Sequence, residues 1–176
     1  MRCLEVEQYC ENLGPDDYDQ EDISPKTDDY NCIAYALGIT DKKWWPSKRM
    51  TLDYDWPQHL PREDQYQETL DNFIRAFEFK GFRVCKSGKL RKQIEKVAIF
   101  VGPLGNPLHA ARQLESGFWT SKCGDYEDIK HKSLSCIEGN NYGKVAVYLC
   151  RRRDGMPFLA ERITNCVRSV FRTTGA

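Results

Sequence analysis

The chain reads as an α+β domain, with N-terminal helices packed on an antiparallel β-sheet, and three stretches of its 176 residues carry that expectation. Asn31-Cys32-Ile33-Ala34-Tyr35-Ala36-Leu37-Gly38 is a short apolar run between a capping residue and a glycine, the pattern of a buried helix. Val97-Ala98-Ile99-Phe100-Val101, stopped by Gly102-Pro103, has the continuous apolar character of a central strand. His109 to Leu114 and Phe118 to Cys123 flank Glu115-Ser116-Gly117 as a hairpin. Helical signals come first and strand signals second, which is the order of an α+β arrangement.

The remaining elements follow in chain order. Residues 1–30 are acidic and turn-rich, with Gly14-Pro15-Asp16-Asp17 and Ser24-Pro25 as breakers, and are expected to be irregular. After the Cys32 helix, Trp44-Trp45-Pro46 falls in a loop whose tryptophans are expected in the core under the sheet rather than on a recognition surface. The spacing of Tyr66, Leu70, Phe73, Ile74 and Phe77 before Gly81 predicts a helix over 62–80. Lys144 to Leu149 supplies a last strand, and the stripe Leu159, Ile163, Val167, Val170, Phe171 predicts a terminal helix over 158–171. Three segments result: an acidic 1–27, a central domain over 28–150 and a basic helical extension over 151–176.

Charge narrows the function classes. Twenty-six basic residues balance 26 acidic ones, so no global field points to nucleic acid or to a membrane surface. The signs are unevenly placed, with ten acids in residues 1–30 against Arg2 and Lys26, and six arginines in 151–176 against Asp154 and Glu161. Among eight cysteines and three histidines no C-x-x-C pair occurs, which argues against a structural zinc site, and nothing in the sequence implies a cofactor. The absence of an apolar leader and of any run near 18 apolar residues leads to the expectation of a cytoplasmic chain with mostly reduced thiols.

Chemistry is expected at Cys32. A thiol at a helix N-terminus meets unpaired backbone N–H groups and the positive end of the dipole, which favour thiolate. His109 opens a strand 77 positions later. The cysteine-bearing helix followed by a histidine-bearing strand resembles the papain-like cysteine hydrolases, especially their compact bacterial NlpC and CHAP branch. More narrowly, Asn31-Cys32 to Gly38, Trp44-Trp45-Pro46, His109-Ala110-Ala111-Arg112, Trp119-Thr120-Ser121-Lys122, Asp128-Ile129-Lys130-His131 and Tyr142-Gly143 resemble a family of small uncharacterised, mainly bacterial domains.

That resemblance implies a nucleophilic Cys32, a general base His109 and a carboxylate that orients the imidazole, Asp128, with Asp125 as the alternative. The Cys32 N–H is one implied oxyanion donor, and the sequence does not identify the second. The expected activity is a thiol hydrolase acting on an amide or related acyl bond of a peptide or other amide-containing substrate. The alternatives are an inactive papain-like binding module and a deamidase or acyltransferase effector, with a protein partner open to each. His131, between Lys130 and Lys132, is expected in a solvated helix or loop, and His59 at the surface.

Overall fold

The computed structural model describes residues 4–46, 54–58, 60–61 and 66–155. Its elements are α1 (Leu4–Tyr9), β1 (Tyr18–Ile23), α2 (Cys32–Ala36), β2 (Lys43–Trp44), β3 (Tyr54–Asp55), α3 (Leu70–Phe79), β4 (Arg83–Cys85), β5 (Ile94–Val101), β6 (Pro107–Gln113), β7 (Trp119–Lys122), β8 (Asp128–His131) and β9 (Lys144–Arg152). Seven strands form one antiparallel sheet in the order β1-β8-β7-β6-β5-β9-β4, while β2 and β3 make a small parallel pair.

Side-chain alternation along β5 accounts for its central place. Val97 and Ile99 join the core that holds Ile33, Ala34, Phe73, Phe77, Ala110 and Leu149, under α2 and α3. Ala98 and Phe100 point the other way, into the core of Val6, Trp119, Ile129 and Ile137. Both faces are covered, so a strand with no polar alternation is the one that fits. The expected hairpin is present: Leu114 N–H bonds to Phe118 O at 2.8 Å, and Gly117 turns the chain at φ 92°.

The α+β, papain-like expectation is corrected. The architecture is mostly antiparallel sheet, and its helices are few and short: six residues in α1, five in α2 and ten in α3. A helix of one and a half turns forms no layer of its own, whereas seven of the strands join in one sheet. The helix expected from residue 62 begins at Leu70, because the Thr69 hydroxyl caps it by accepting from Asn72 N–H at 3.3 Å. Residues 1–30, expected to be irregular, contribute α1 and β1, and β1 pairs with β8. The expected helix over 158–171, and His59, lie outside the described residues. No helix among the described residues is long and apolar enough to cross a membrane.

Candidate functional site

Asn31 caps α2 with extended backbone, its side chain accepting from Ala34 N–H at 3.0 Å and from Trp44 N–H at 3.1 Å. This fixes Cys32 at the first helical position. Its Sγ lies 3.9 Å from Leu108 O on β6. Ladder pairing between β6 and β7 stops at Arg112↔Thr120, so the two strands part toward Leu108, and the sulfur sits against the backbone edge of β6. Backbone N–H groups of Ala110, Ile33 and Cys32 itself favour the thiolate there, as does the charge of Lys122, but burial outweighs them and pushes the thiol up to about 11. The low thiol pKa expected from the helix terminus is thereby reversed: a five-residue helix offers few aligned N–H groups, whereas desolvation acts on the whole sulfur.

His109 leaves β6 on the other face of the sheet. Its cross-strand partner is Phe100, 5.3 Å away between ring centroids, and Tyr142 stacks on it at 4.0 Å, whereas its neighbour Ala110 belongs to the α2 core. Nε2 of His109 is 3.0 Å from Ser121 Oγ, which is 2.9 Å from His131 Nε2, while His131 Nδ1 is 2.7 Å from Ser133 O. A carbonyl only accepts, so His131 carries its proton on Nδ1 and accepts from Ser121 at Nε2. Ser121 then accepts from His109 Nε2–H, and His109 Nδ1 is left as a bare acceptor, buried and without a partner among the described residues. Burial pulls His109 down to about 3, with His131 adding to it, and His131 down to about 4. His131 is therefore a fully buried strand residue, not the solvated one expected from its flanking lysines.

Asp128 lies on the α2 face of β8. Tyr30 donates to its Oδ2 at 2.5 Å, and its N–H bonds to Ser24 Oγ at 2.8 Å. Oδ1 is buried with no partner among the described residues, and burial raises the carboxyl above the usual carboxylate range. Lys122, fully buried, donates to Tyr126 O and lies 5.5 Å from the Tyr30 ring. Thr120 donates to Ile129 O at 3.0 Å and therefore accepts from Tyr35 at 2.9 Å. Asp128, Tyr35 and Thr120, with Ser24, Leu114 and Lys130, line a cleft of about 320 Å³. Asp125 is exposed in the turn between β7 and β8.

Cys32 and Asp128 thus share one side of the sheet and His109 takes the other, and no hydrogen bond joins the three among the described residues. Spacing along the chain could not reveal this, because a residue's face depends on register. Ser121 and Tyr30, which sequence reasoning passed over, are the direct partners of His109 and Asp128. The signal for Ser121 was present in strand alternation, since residues 119 and 121 share a face with 129 and 131. No metal-binding group of three or more His, Cys, Asp or Glu side chains occurs among the described residues. In comparison with known proteins, the model of a family described as a domain of unknown function (DUF7689) matches residues 21–150. No curated protein and no solved structure matches the chain.

Proposed function

We propose, for a chain that belongs to the DUF7689 family, that its work is recognition of an amide-bearing ligand, a peptide or a carboxamide, in the cleft beside Asp128. The observation that carries this reading is the Asp128 Oδ1, a buried acceptor that makes no hydrogen bond among the described residues. Leaving such an atom unpaired costs about 1–3 kcal/mol, which a ligand N–H recovers on binding. The surrounding charges favour a neutral donor over a cation, because Lys122 and Arg112 already act on this carboxylate. Lys130 lines the same cleft with its ammonium bonded to Asp19 and Asp22, and its remaining N–H is the donor this reading gives the amide carbonyl. At about 320 Å³ the cleft is at the small end of ligand pockets, the size for one amide with a short side chain.

NMR titration with N-acetyl amino-acid amides tests the reading. Shifts are expected at Ser24, Tyr35, Thr120 and Asp128, and are expected to vanish in Asp128→Asn, whose amide presents a donor or a weaker acceptor at that point. Unchanged spectra up to the solubility limit defeat the proposal, as does an Asp128→Asn variant that responds like the parent.

A thiol hydrolase with Cys32 as nucleophile, His109 as base and Asp128 as orienting group is the second reading, favoured by the backbone N–H groups gathered at the Cys32 sulfur. It requires rearrangement where β6 and β7 part, so that an imidazole reaches the thiol. Mass spectrometry after a low dose of iodoacetamide at neutral pH separates the two readings. Preferential labelling of Cys32 over the other cysteines supports the hydrolase, whereas protection of Cys32 leaves the binding reading alone.

A further inference from the structure

We infer that the basic loop after β4, residues 86–92, is a docking surface for an anionic lipid membrane, with Leu90 as its apolar contact. The loop reads Lys86-Ser87-Gly88-Lys89-Leu90-Arg91-Lys92 and holds no acid. All four cations are exposed and have no ion-pair partner among the described residues, and Leu90 stands between two of them 49% exposed. A cluster of four cations on a short segment is what the negative surface of a bilayer attracts, and an apolar side chain among them enters the headgroup boundary.

The fold presents these groups on a fixed backbone. Gln113 donates to Gly88 O at 2.9 Å, Lys96 donates to Ser87 O, and Arg153 N–H bonds to Gln93 O at 2.9 Å. The loop folds back over the sheet: a Cβ on Gly88 would lie 2.8 Å from the Tyr148 ring and 3.0 Å from the Trp119 ring, and one on Gly117 would lie 3.4 Å from Leu90. Docking therefore orders little backbone.

Neighbouring acids leave the charge of the loop in place. Glu115, in the same turn as Gly117, pairs with Arg153 at 3.3 Å. On the acidic β1 edge, Asp19 and Asp22 pair with Lys130, whose cross-strand partner Thr120 bonds to Tyr35 of α2, so these two acids turn to the face of the sheet opposite the buried Trp119. The formal charge of the chain is zero, and attraction to a membrane therefore rests on how this loop is presented. A lipid surface fits it better than a nucleic acid, because residues 86–93 carry no aromatic ring on which a base would stack.

Co-sedimentation of the full chain with vesicles tests this. Near 0.1 M salt, vesicles of about one part phosphatidylserine to two of phosphatidylcholine are expected to hold about fivefold more protein than phosphatidylcholine alone, and the excess is expected to vanish at about 1 M salt. Lys89→Glu with Arg91→Glu is expected to abolish the excess, whereas Lys132→Glu with Lys144→Glu, an equal charge change at exposed positions elsewhere, leaves most of it. Leu90→Ser is expected to lower it about twofold with the charge untouched. A parent chain that does not distinguish the two vesicles overturns the inference, as does a loop pair that binds no worse than the control pair or a Leu90→Ser variant that binds like the parent. Retention of single-stranded RNA without binding to the anionic vesicles overturns it in favour of a nucleic acid. Should the loop pair misfold by circular dichroism, Lys89→Gln alone, expected to lower the excess about twofold, carries the same test.

Discussion

At the scale of single residues, Ser121 is the joint of the buried polar chain on the α1 side of the sheet. Its hydroxyl accepts from one imidazole and donates to the other, and it is itself wholly buried. Ser121→Ala removes no volume to speak of but leaves His131 Nε2 without a donor and His109 Nε2–H without an acceptor. The expected loss is about 1–3 kcal/mol for each group left unpaired, read as a lower urea midpoint with an unchanged slope. Cys32 makes the contrasting case. Its thiol is held neutral at about 11, so reaction with iodoacetamide should be slow at neutral pH and accelerate only as pH approaches that value. A labelling rate that already plateaus at pH 7 would show that the sulfur is ionised and that burial does not rule it.

Among elements, α2 depends on one side chain more than on its own length. Five residues are too few for a stable helix in isolation. Asn31 compensates by capping Ala34 N–H and by exchanging two hydrogen bonds with the Trp44 backbone, which ties the helix to β2. A lost cap costs about 1 kcal/mol, and Asn31→Ala forfeits the Trp44 clasp as well. A melting temperature lowered further than by Thr69→Ala, which only uncaps α3, is therefore expected. Equal losses would show that the clasp contributes nothing. The turn before β9 is constrained more sharply. Gly143 sits at φ 74°, and a Cβ there would fall 1.9 Å from Val101 O, a backbone atom that cannot swing aside. Gly143→Ala is expected to yield little folded protein, measured by soluble expression and circular dichroism.

For the molecule as a whole, the buried imidazoles and thiol set a pH window. Each histidine takes a proton less readily when folded, at about 3 and about 4, than in the unfolded chain near 6.5. The unfolded chain therefore binds more protons as pH falls below 6.5, and stability that is complete above 6.5 drains away down to about 4 for His131 and about 3 for His109, by up to about 1.4 kcal/mol per pH unit for each histidine. Cys32 acts with the opposite sign: its folded value of about 11 lies above the unfolded 9, so its contribution is whole below pH 9 and lost from 9 to 11. A stability plateau from about 6.5 to 9 is expected in chemical denaturation. His131→Asn should flatten the acid side relative to the parent, and an unchanged acid limb would show that other groups govern it.

What the sequence by itself determined is local. The cap at Asn31, the glycine turn at 117, the apolar run of β5 and the hairpin of β6 and β7 are each encoded within a few neighbouring residues, and all appear where those residues place them. Pairing across the chain decided the rest. The acidic head became an edge strand only because β8 was there to receive it, and the short β8 showed no apolar run to announce it. The sheet-dominated architecture arose in the same way, since β1 and β4 gain their stability from neighbours rather than from their own composition. The candidate site depended most on that step. The order of Cys32, His109 and Asp128 was legible, but side chains alternate across a strand with period two. Register therefore sent His109 to one face with Ser121 and His131, and Cys32 and Asp128 to the other.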